Sequence, residues 1–197
     1  MADIPENPID YFSDWFEQAS NHKGIEEANA VNVSTATSNG LPSSRMVLLK
    51  SFDHSGFVFY TNLGSRKAQQ LKQNPHAAMC FYWEPLARQV RIEGQVLAVD
   101  SKQADHYFKS RPFKSRIGAW ASKQSQVLDH QNTLLKEIAK QAARYVAKDV
   151  PRPPFWSGFC LRPNYFEFWQ RGEYRLHKRH SYDRDENGQW QSHLLYP

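Results

Sequence analysis

Residues 45–67, RMVLLKSFDHSGFVFYTNLGSRK, combine two apolar runs, a turn between them and the start of a helix. The first run alternates along a predicted strand, with Arg45, Val47 and Leu49 on one face and Met46, Leu48 and Lys50 on the other. Residues 53–56, Asp-His-Ser-Gly, are typical of a turn, and residues 57–61 are aromatic or β-branched. The pattern therefore predicts a β-hairpin that connects the two runs.

A candidate anion site follows the second run. Ser65 can cap a helix that ends at Gln73, and the first turn of that helix carries Arg66 and Lys67. Free N–H groups and the helix dipole both favour an anion at a helix N-terminus, so these residues form a candidate phosphate cradle. An ordinary strand, turn and helix with a solvated basic first turn is the alternative that they leave open. Neither a P-loop nor a GxGxxG motif occurs here.

Composition limits the classes of protein to consider. The chain has 197 residues and no Pro/Gly/Ser-rich linker, so we expect a single domain over residues 1–197. Its 25 Lys and Arg residues against 20 Asp and Glu residues give a net charge of +5. Because the basic residues occur in short motifs among acidic ones, the charge favours small anionic ligands over nucleic acid. Cys80 and Cys160 lie far apart without a CxxC or His spacing, so we expect core thiols and no metal site.

The N-terminal sequence, MADIPENPID, is acidic and lacks the basic and apolar regions of a signal peptide. No apolar run in the sequence is long enough to span a bilayer. The sequence therefore predicts a cytoplasmic protein without a membrane partner.

Short predicted strands outnumber the predicted helices. Helices are predicted at residues 9–19, 65–73, 100–110 and 128–146, where apolar spacing and capping residues fit a helical period. Further strands are predicted at residues 31–37, 77–83, 88–99, 155–161, 165–170, 175–182 and 190–195. We therefore expect a mainly β, α+β fold, an antiparallel barrel with helices packed outside it. Residues 1–30 would be an N-terminal helical segment, and residues 155–197 would complete the barrel and its site.

Six motifs between Arg45 and Arg179 carry a resemblance to a known family: RMVLLK, YTNLGSRK, RQVRIEG, YFKSRPFKSRIGAW, SKQS and FWQRGEYRLHKR. Their ordered combination resembles the pyridoxine/pyridoxamine 5′-phosphate oxidase family, whose members are FMN-dependent split-barrel enzymes. The resemblance covers nearly the whole chain beyond the N-terminal helical segment. It implies a split β-barrel of the FMN-binding type, FMN as cofactor and a homodimer with two FMN sites at its interface.

The resemblance also implies roles for individual residues. The positions that match the family's FMN site are Arg45, Met46, Val47, Leu48, Leu49, Lys50, Tyr60, Thr61, Arg66, Lys67, Gln89, Gln124, Ser125, Trp169 and Arg179. The positions that match the grip on the substrate phosphate are Lys50, Tyr107, Arg111 and Ser115. The positions that match the residues beside the pyridine ring are Arg175, Leu176 and His177, with Arg175 and His177 as the candidate catalytic pair.

The chemistry of these residues agrees with that assignment. A phosphate dianion needs charge-assisted donors, which Arg and Lys supply, while Tyr and Ser hydroxyls add shape. Tyr107 and Arg111 are four residues apart and share one face of the predicted helix end. Arg175 and His177 are two apart on a predicted strand, so their side chains should point the same way. Taken singly, each residue is also typical of a structural role, and only the ordered set favours function.

The implied reaction oxidises C4′ of pyridoxine or pyridoxamine 5′-phosphate to pyridoxal 5′-phosphate, with FMN accepting the hydride and dioxygen forming hydrogen peroxide. The amine substrate would also release ammonia. Three alternatives remain: a flavin enzyme for another substrate, a non-catalytic flavin-binding module and a nucleic-acid-binding barrel. The phosphate grip argues against the first, and only net charge favours the third. The short segment before the first helix also predicts a reduced N-terminal lid over the substrate.

Overall fold

The computed structural model describes residues 5–146 and 148–197. The helices within these ranges are α1 (Pro8–Ser20), α2 (Arg66–Gln73), α3 (Ser101–Ser110), α4 (Phe113–Ala121) and α5 (Gln131–Arg144). The strands within them are β1 (Ala30–Ala36), β2 (Pro42–Leu48), β3 (Ser51–Asp53), β4 (Gly56–Asn62), β5 (His76–Trp83), β6 (Arg88–Ala98), β7 (Trp156–Gln170), β8 (Lys178–Arg184) and β9 (Trp190–Leu195). Short 3₁₀ turns occur at Glu84–Leu86 and Glu173–Arg175.

The nine strands of the described ranges form one sheet in the order β2-β1-β5-β6-β7-β4-β3, with β8 and β9 added beside β7. Strand β7 is central because its first half pairs with β4, at Leu161 with Phe57, and its second half pairs with β8, at Tyr165 with Asp183. Strand β6 pairs antiparallel with both halves, so the sheet divides and curls into a half-barrel. The α+β, antiparallel split-barrel fold that the sequence predicts is confirmed.

Helix α1 supplies one wall of the hydrophobic core. Asn7 caps it by accepting a hydrogen bond from the Ile9 N–H (2.9 Å). Phe12 is fully buried, and its ring centroid lies 4.9 Å from those of both Phe52 and Phe57. Burial of one such side chain contributes about 1.5–3 kcal/mol. The aromatic contacts therefore fix α1 against the β3–β4 hairpin.

The sequence prediction is wrong about the number of strands in the region of β7. The sequence predicts two strands, 155–161 and 165–170, interrupted near Pro163, whereas the structure contains one strand of 15 residues. A register shift in β6 just before Gly94 lets the ladder pass the proline, which has no N–H to donate. Gly94 is required there because a Cβ atom would lie 2.0 Å from the Arg162 carbonyl oxygen.

The first strand of the predicted hairpin has a different partner in the structure from the one that the sequence predicts. Strand β2 pairs with β1, and the short strand β3 is the one that pairs with β4 across the Asp-His-Ser-Gly turn. The Leu49 N–H donates to the Asn29 carbonyl oxygen (2.8 Å), whereas the Lys50 N–H donates to that of Val58 (2.9 Å). The chain therefore changes partner strand between Leu49 and Lys50, and the predicted alternation ends there.

The helices follow the sequence prediction except around α4 and α5. Helix α4 is not predicted, because Pro112 is typical of a helix stop and α4 begins after it without a side-chain cap. Helix α5 begins at Gln131, later than the predicted start at Leu128, and ends at Arg144. The predictions at residues 9–19, 31–37, 65–73, 77–83, 88–99, 100–110 and 190–195 agree with the structure to within one residue at each end.

The segment between β7 and β8 forms a tight turn. Tyr174 and Arg175 have positive φ angles of 53° and 66°, which non-glycine residues rarely adopt. The chain closes on itself at Gly172, where a Cβ atom would lie 1.9 Å from the Leu176 carbonyl oxygen. Only glycine can accommodate this approach, so Gly172 permits the turn.

The turn extends into residues 175–182, where the sequence predicts a strand. Strand β8 begins at Lys178, so Arg175 and His177 both precede it. The prediction that Arg175 and His177 lie on a strand is therefore wrong, because the left-handed backbone at Arg175 is part of the turn before β8.

In residues 5–146 and 148–197, no helix combines the length and apolar character that crossing a membrane requires. The same residues contain no group of three or more His, Cys, Asp and Glu side chains arranged to hold a metal ion. Cys80 and Cys160 are free thiols, and both are partly buried.

Candidate active site

The site begins with Arg45, near the end of β2. Its Nη1 donates to the Val33 carbonyl oxygen (3.1 Å) and to Oγ1 of Thr35 (2.7 Å), and its Nη2 donates to Oγ of Ser43 (2.6 Å). Val33 and Arg45 are paired residues of β1 and β2. The guanidinium therefore lies across the neighbouring strand, held in one orientation by three acceptors.

Helix α2 brings two further cations to this place. Ser65 caps the helix through its hydroxyl, and Arg66 and Lys67 follow in the first turn. Lys67 is only 6% exposed, and its Nζ donates to Oγ1 of Thr61 at the end of β4 (3.1 Å). Arg66 is exposed. We call Arg45, Arg66 and Lys67 the cation cluster.

Burial and neighbouring positive charge lower the pKa values of Lys67 and Arg45. Burial, together with the charge of Arg45, lowers the pKa of Lys67 to about 8. Burial and the charge of Arg66 lower the pKa of Arg45. Throughout the described parts of the chain, none of the three forms a salt bridge with a carboxylate. The cluster therefore fits a phosphate dianion, which would supply the missing negative charge.

The loop between α4 and α5 lies against the same strand end. Oε1 of Gln124 accepts hydrogen bonds from Oγ1 of Thr61 (3.0 Å) and from the Asn62 N–H (3.3 Å). Ser125 follows with a positive φ of 70°. A cavity of about 820 Å³ opens beside the loop and is lined in part by Asn62, Gln124 and Ser125. The fold thus brings Gln124 next to the cation cluster.

A second group of residues, the aromatic cluster, consists of Tyr60, Tyr107, Arg111 and Trp156. The ring centroids of Tyr60 and Tyr107 are 4.1 Å apart, and those of Tyr60 and Trp156 are 5.1 Å apart with nearly parallel planes. The Arg111 guanidinium lies 4.9 Å from the Trp156 ring centroid. Burial lowers the pKa of Arg111, and its buried Nη1 has no hydrogen-bond partner among the described residues. A buried cationic donor of this kind fits an anionic ligand.

The other residues expected to grip the substrate phosphate lie in flanking elements. Ser115 is half-buried in the first turn of α4, and Lys50 is exposed where the chain passes from β2 to β3. Within the described ranges, neither side chain is hydrogen-bonded to Arg111 or Tyr107. Their role at a phosphate site stays a prediction.

Exposure varies among the apolar residues that follow Arg45. Met46 is 61% exposed and Leu49 is 3% exposed, while Val47 and Leu48 are half-buried. Their expected place in an FMN site stays a prediction.

A third group, the strand cluster, consists of Gln89, Trp169, His177 and Arg179. Gln89 pairs with Trp169, and Trp169 pairs with Arg179, so these residues form a row across β6, β7 and β8. The ring centroids of Trp169 and His177 are 4.7 Å apart. The Gly172 N–H donates to Nδ1 of His177 (3.3 Å), so in the neutral imidazole the proton lies on Nε2.

Glu167 accepts a hydrogen bond from Arg179 of the strand cluster. It is not among the site residues that the sequence predicts. It is 2% exposed, and it accepts hydrogen bonds from Nε of Arg179 (2.9 Å) and from Nη1 of Arg91 (2.9 Å). Burial alone would raise the pKa of Glu167, but the hydrogen bond from Arg179 and the charges of both arginines lower it. Arg179 is thus oriented by a buried carboxylate.

The three groups are not equally close within one chain. Thr61 contacts the cation cluster, and its neighbour Tyr60 belongs to the aromatic cluster, so β4 connects these two. Among the described residues, no hydrogen bond, salt bridge or ring contact joins the strand cluster to either of them. Arg175 and Leu176 are exposed on the turn beside the strand cluster.

Several residues of the site have weak signals in the sequence. Trp156 and Glu167 each lie alone in an apolar run, where a structural role is the usual interpretation. Thr35 contacts Arg45 only because of the β1–β2 register, whereas Ser43 lies two residues before Arg45 on the same strand. The alternation of residues 43 and 45 along β2 is the one local signal that could indicate Ser43.

The fold and the cation cluster together define an antiparallel split-barrel protein with a candidate site for a phosphorylated ligand. Comparison with known proteins identifies the family. Residues 19–145 match the family described as pyridoxamine 5′-phosphate oxidase, and residues 156–197 match the pyridoxine 5′-phosphate oxidase C-terminal dimerisation region. The chain therefore belongs to the pyridoxamine 5′-phosphate oxidase family, as its sequence motifs predict.

Curated relatives and solved structures agree with this result. A pyridoxine/pyridoxamine 5′-phosphate oxidase from Pelagibacter ubique is 50% identical over 192 residues, covering 97% of this chain and 92% of the relative. One from Myxococcus xanthus is 48% identical over 194 residues, covering 98% and 93%. PhzG from Burkholderia lata, solved in complex with tetrahydrophenazine-1-carboxylic acid, has a TM-score of 0.93 and 33% identity, covering 99% of this chain and 95% of that chain.

A second solved structure supports the fold alone. It is a pyridoxamine 5′-phosphate oxidase-related, FMN-binding protein from Nostoc punctiforme, with a TM-score of 0.73 and 20% identity. The match covers 100% of both chains.

Proposed function

We propose that this chain oxidises pyridoxine 5′-phosphate or pyridoxamine 5′-phosphate to pyridoxal 5′-phosphate, with FMN as cofactor, in a homodimer. Family membership and relatives near 50% identity support this reaction. The observation that carries the proposal is that two separate groups of cations, the cation cluster and Arg111 of the aromatic cluster, have no carboxylate partner among the described residues. One phosphorylated cofactor and one phosphorylated substrate account for both.

The cation cluster is the proposed site of the FMN phosphate. Its three cations supply charge, and the free N–H groups at the start of α2 add donors. When bound, FMN would supply the redox chemistry, namely the capacity to take up a hydride. The other proposed contacts of the cofactor are residues 46–50, Tyr60, Thr61, Gln89, Gln124, Ser125, Trp169 and Arg179.

Arg111 is the proposed anchor of the substrate phosphate. Its guanidinium is held over the Trp156 ring, so its orientation is set before a ligand binds. Preorganisation of this kind lowers the entropy lost on binding. Lys50, Tyr107 and Ser115 are proposed to add a charge and two hydroxyl donors around the same phosphate.

His177 is proposed to orient the substrate as a hydrogen-bond donor. Because Nδ1 accepts from the Gly172 N–H, a neutral His177 can donate from Nε2 and has no free basic nitrogen. Arg175 would add positive charge from the adjoining turn, and the exposed Leu176 would add apolar contact with the ring. None of these roles requires a proton transfer by His177 or Arg175.

A second copy of the chain completes the proposed site. Within the described chain, no hydrogen bond, salt bridge or ring contact joins the strand cluster to the other two clusters, and it lies inside or beside residues 156–197. These residues match the dimerisation region of the family. We propose that Trp169, Arg175, His177 and Arg179 act at the FMN site of the other subunit.

Dioxygen is the proposed final electron acceptor. Oxidation at C4′ removes two electrons and two protons, which together convert dioxygen to hydrogen peroxide. The alcohol becomes the aldehyde directly, whereas the amine becomes an imine that water hydrolyses with release of ammonia. Every atom is then accounted for in both reactions.

A different substrate on the same fold is the second candidate, and the similarity to PhzG favours it. The FMN-reconstituted protein should be incubated separately with pyridoxine 5′-phosphate, pyridoxine and tetrahydrophenazine-1-carboxylic acid. Oxygen uptake and product chromatography are then measured. Turnover confined to the phosphorylated vitamer would support the proposal, and turnover confined to the phenazine would contradict it.

We also propose that residues 1–197 form one domain located in the cytoplasm. The hydrogen-bonded pairing of β4 with β7 links the first part of the chain to residues 155–197, which supports one cooperative unit. The free thiols of Cys80 and Cys160 agree with a reducing compartment. A single calorimetric transition and recovery in the cytoplasmic fraction are the expected results. Two separate transitions would contradict the domain proposal.

A further inference from the structure

A hydrogen-bonded network behind the cation cluster connects Arg45 to helix α2. Oγ1 of Thr35 and Oγ of Ser43 each accept a hydrogen bond from the Arg45 guanidinium (2.7 and 2.6 Å). Both hydroxyls also contact Oε1 of Gln70, at 2.5 Å from Thr35 and 2.7 Å from Ser43. Gln70 therefore closes a ring of contacts around the two hydroxyls.

The direction of these hydrogen bonds follows from the chemistry of the groups. A guanidinium can only donate, so each hydroxyl uses a lone pair to accept from Arg45. The remaining proton of each hydroxyl must then point to Oε1 of Gln70, which can accept two hydrogen bonds. With the amide oxygen facing them, both hydroxyl protons have an acceptor, whereas the reversed amide would present only N–H donors to the two hydroxyls.

Burial makes the network costly to disturb. Thr35 and Gln70 are each 3% exposed. Nε2 of Gln70 has no hydrogen-bond partner in the described residues. A buried donor without a partner lowers the stability of the folded protein. An apolar side chain at position 70 would avoid this cost, but it could not accept the hydrogen bonds from Thr35 and Ser43.

We propose that Gln70 is a positioning residue for the FMN phosphate, acting through Thr35 and Ser43 to fix the Arg45 guanidinium. The inference rests on the proposed FMN site. Gln70 lies one turn after Lys67 on α2, so the helix that carries Arg66 and Lys67 of the cation cluster also orients its third member, Arg45. The network thereby sets the spacing between Arg45 and Lys67.

The first test compares Gln70→Met with the control Gln73→Met. Gln73 lies on the same helix and is exposed. Apoprotein is titrated with FMN and with riboflavin, which lacks the phosphate, and quenching of flavin fluorescence gives both dissociation constants. Loss of one orienting acceptor should weaken FMN binding on the order of tenfold and leave riboflavin binding unchanged. Gln73→Met should change neither, and equal weakening of both flavins by Gln70→Met would overturn the inference.

Ser43→Ala provides a second variant that removes less buried material from the same network. It should also weaken FMN binding selectively, because Nη2 of Arg45 loses its acceptor. Unchanged FMN affinity in a folded Ser43→Ala protein would overturn the network.

A double-mutant cycle identifies the residue through which Gln70 acts. In the Arg45→Met background, Gln70→Met should have no further effect on the ratio of FMN to riboflavin affinity. A full additional loss would overturn the inference. If Arg45→Met itself leaves that ratio unchanged, the FMN site assignment fails, which distinguishes that failure from failure of the Gln70 network alone.

Discussion

Nζ of Lys67 lies 3.1 Å from Oγ1 of Thr61, in a buried position where no carboxylate of the described residues balances its charge. Burial and the charge of Arg45 lower the pKa of Lys67 from 10.5 to about 8. The apoprotein thus carries an uncompensated buried charge that a phosphate dianion would neutralise.

We expect the affinity for FMN to fall as the pH rises through about 8. Below this pH Lys67 is already protonated, whereas above it the apoprotein must take up a proton to form the ion pair. Fluorescence titrations with FMN on both sides of pH 8 measure the effect, with riboflavin as the control ligand. Lys67→Met should abolish this component of the pH dependence, and an unchanged profile in that variant would contradict the assignment.

The stability of the apoprotein should change in the opposite sense. Because the pKa of Lys67 is lower in the folded than in the unfolded state, the unfolded state binds more protons between about 8 and 10.5. The contribution of Lys67 to the free energy of unfolding therefore increases with pH across this window. Urea unfolding of the apoprotein and of Lys67→Met isolates that contribution as the difference between the two proteins.

Arg66→Ala should impair flavin retention more than turnover, and Arg175→Ala should do the reverse. Arg66 belongs to the cation cluster, and a charge-assisted hydrogen bond contributes about 1.5–3 kcal/mol. Arg175 lies on the turn after Gly172, apart from that cluster. The FMN dissociation constant and the kcat at saturating FMN separate the two effects. Equal flavin loss in both variants would be inconsistent with this division.

Trp156→Leu should weaken binding of the phosphorylated substrate. The change removes the ring on which the Arg111 guanidinium rests, a contact that contributes about 0.5–2 kcal/mol. We expect KM for pyridoxine 5′-phosphate to rise about twofold to thirtyfold, with less effect in Trp156→Phe, which keeps an aromatic face. Identical KM values in the two variants would exclude stacking as the reason.

Gly172→Ala should destabilise the turn that carries Arg175 and His177. A Cβ atom at this position would lie 1.9 Å from the Leu176 carbonyl oxygen, so the backbone must move. We expect a loss of about 1–3 kcal/mol in the free energy of unfolding and a lower kcat. Gly118→Ala is the matched control, because nothing lies within 4 Å of its added methyl group in helix α4. Denaturant unfolding of both variants would reveal whether only Gly172 is sensitive.

Local sequence patterns predict the part of the site that follows one continuous stretch. Ser65, Arg66 and Lys67 occupy a capped helix start, as their order along the chain predicts. The orientation of Arg45 depends instead on the β1–β2 register and on the packing of α2 against the sheet. No local pattern contains that information, so Thr35 and Gln70 emerge only from the structure, whereas the alternation along β2 is a weak local signal for Ser43.

Two other features depend on contacts between distant residues. Its place among short aromatic-rich segments separated by turn residues favours a strand over 175–182, but the close approach at Gly172 replaces its first residues with a turn. A proline in the middle of β7 favours two strands, yet the shifted register beside Gly94 accommodates it. Backbone contacts of this kind decide the local conformation more strongly than side-chain periodicity.

The most direct test of the central claim is an anaerobic titration of the FMN-loaded protein with pyridoxine 5′-phosphate, followed by admission of air. The proposed function predicts that the visible flavin absorbance bleaches with substrate and returns with dioxygen, while pyridoxal 5′-phosphate and hydrogen peroxide form in equal amounts. A yellow protein that binds the substrate without bleaching would contradict the oxidase function and leave flavin binding alone.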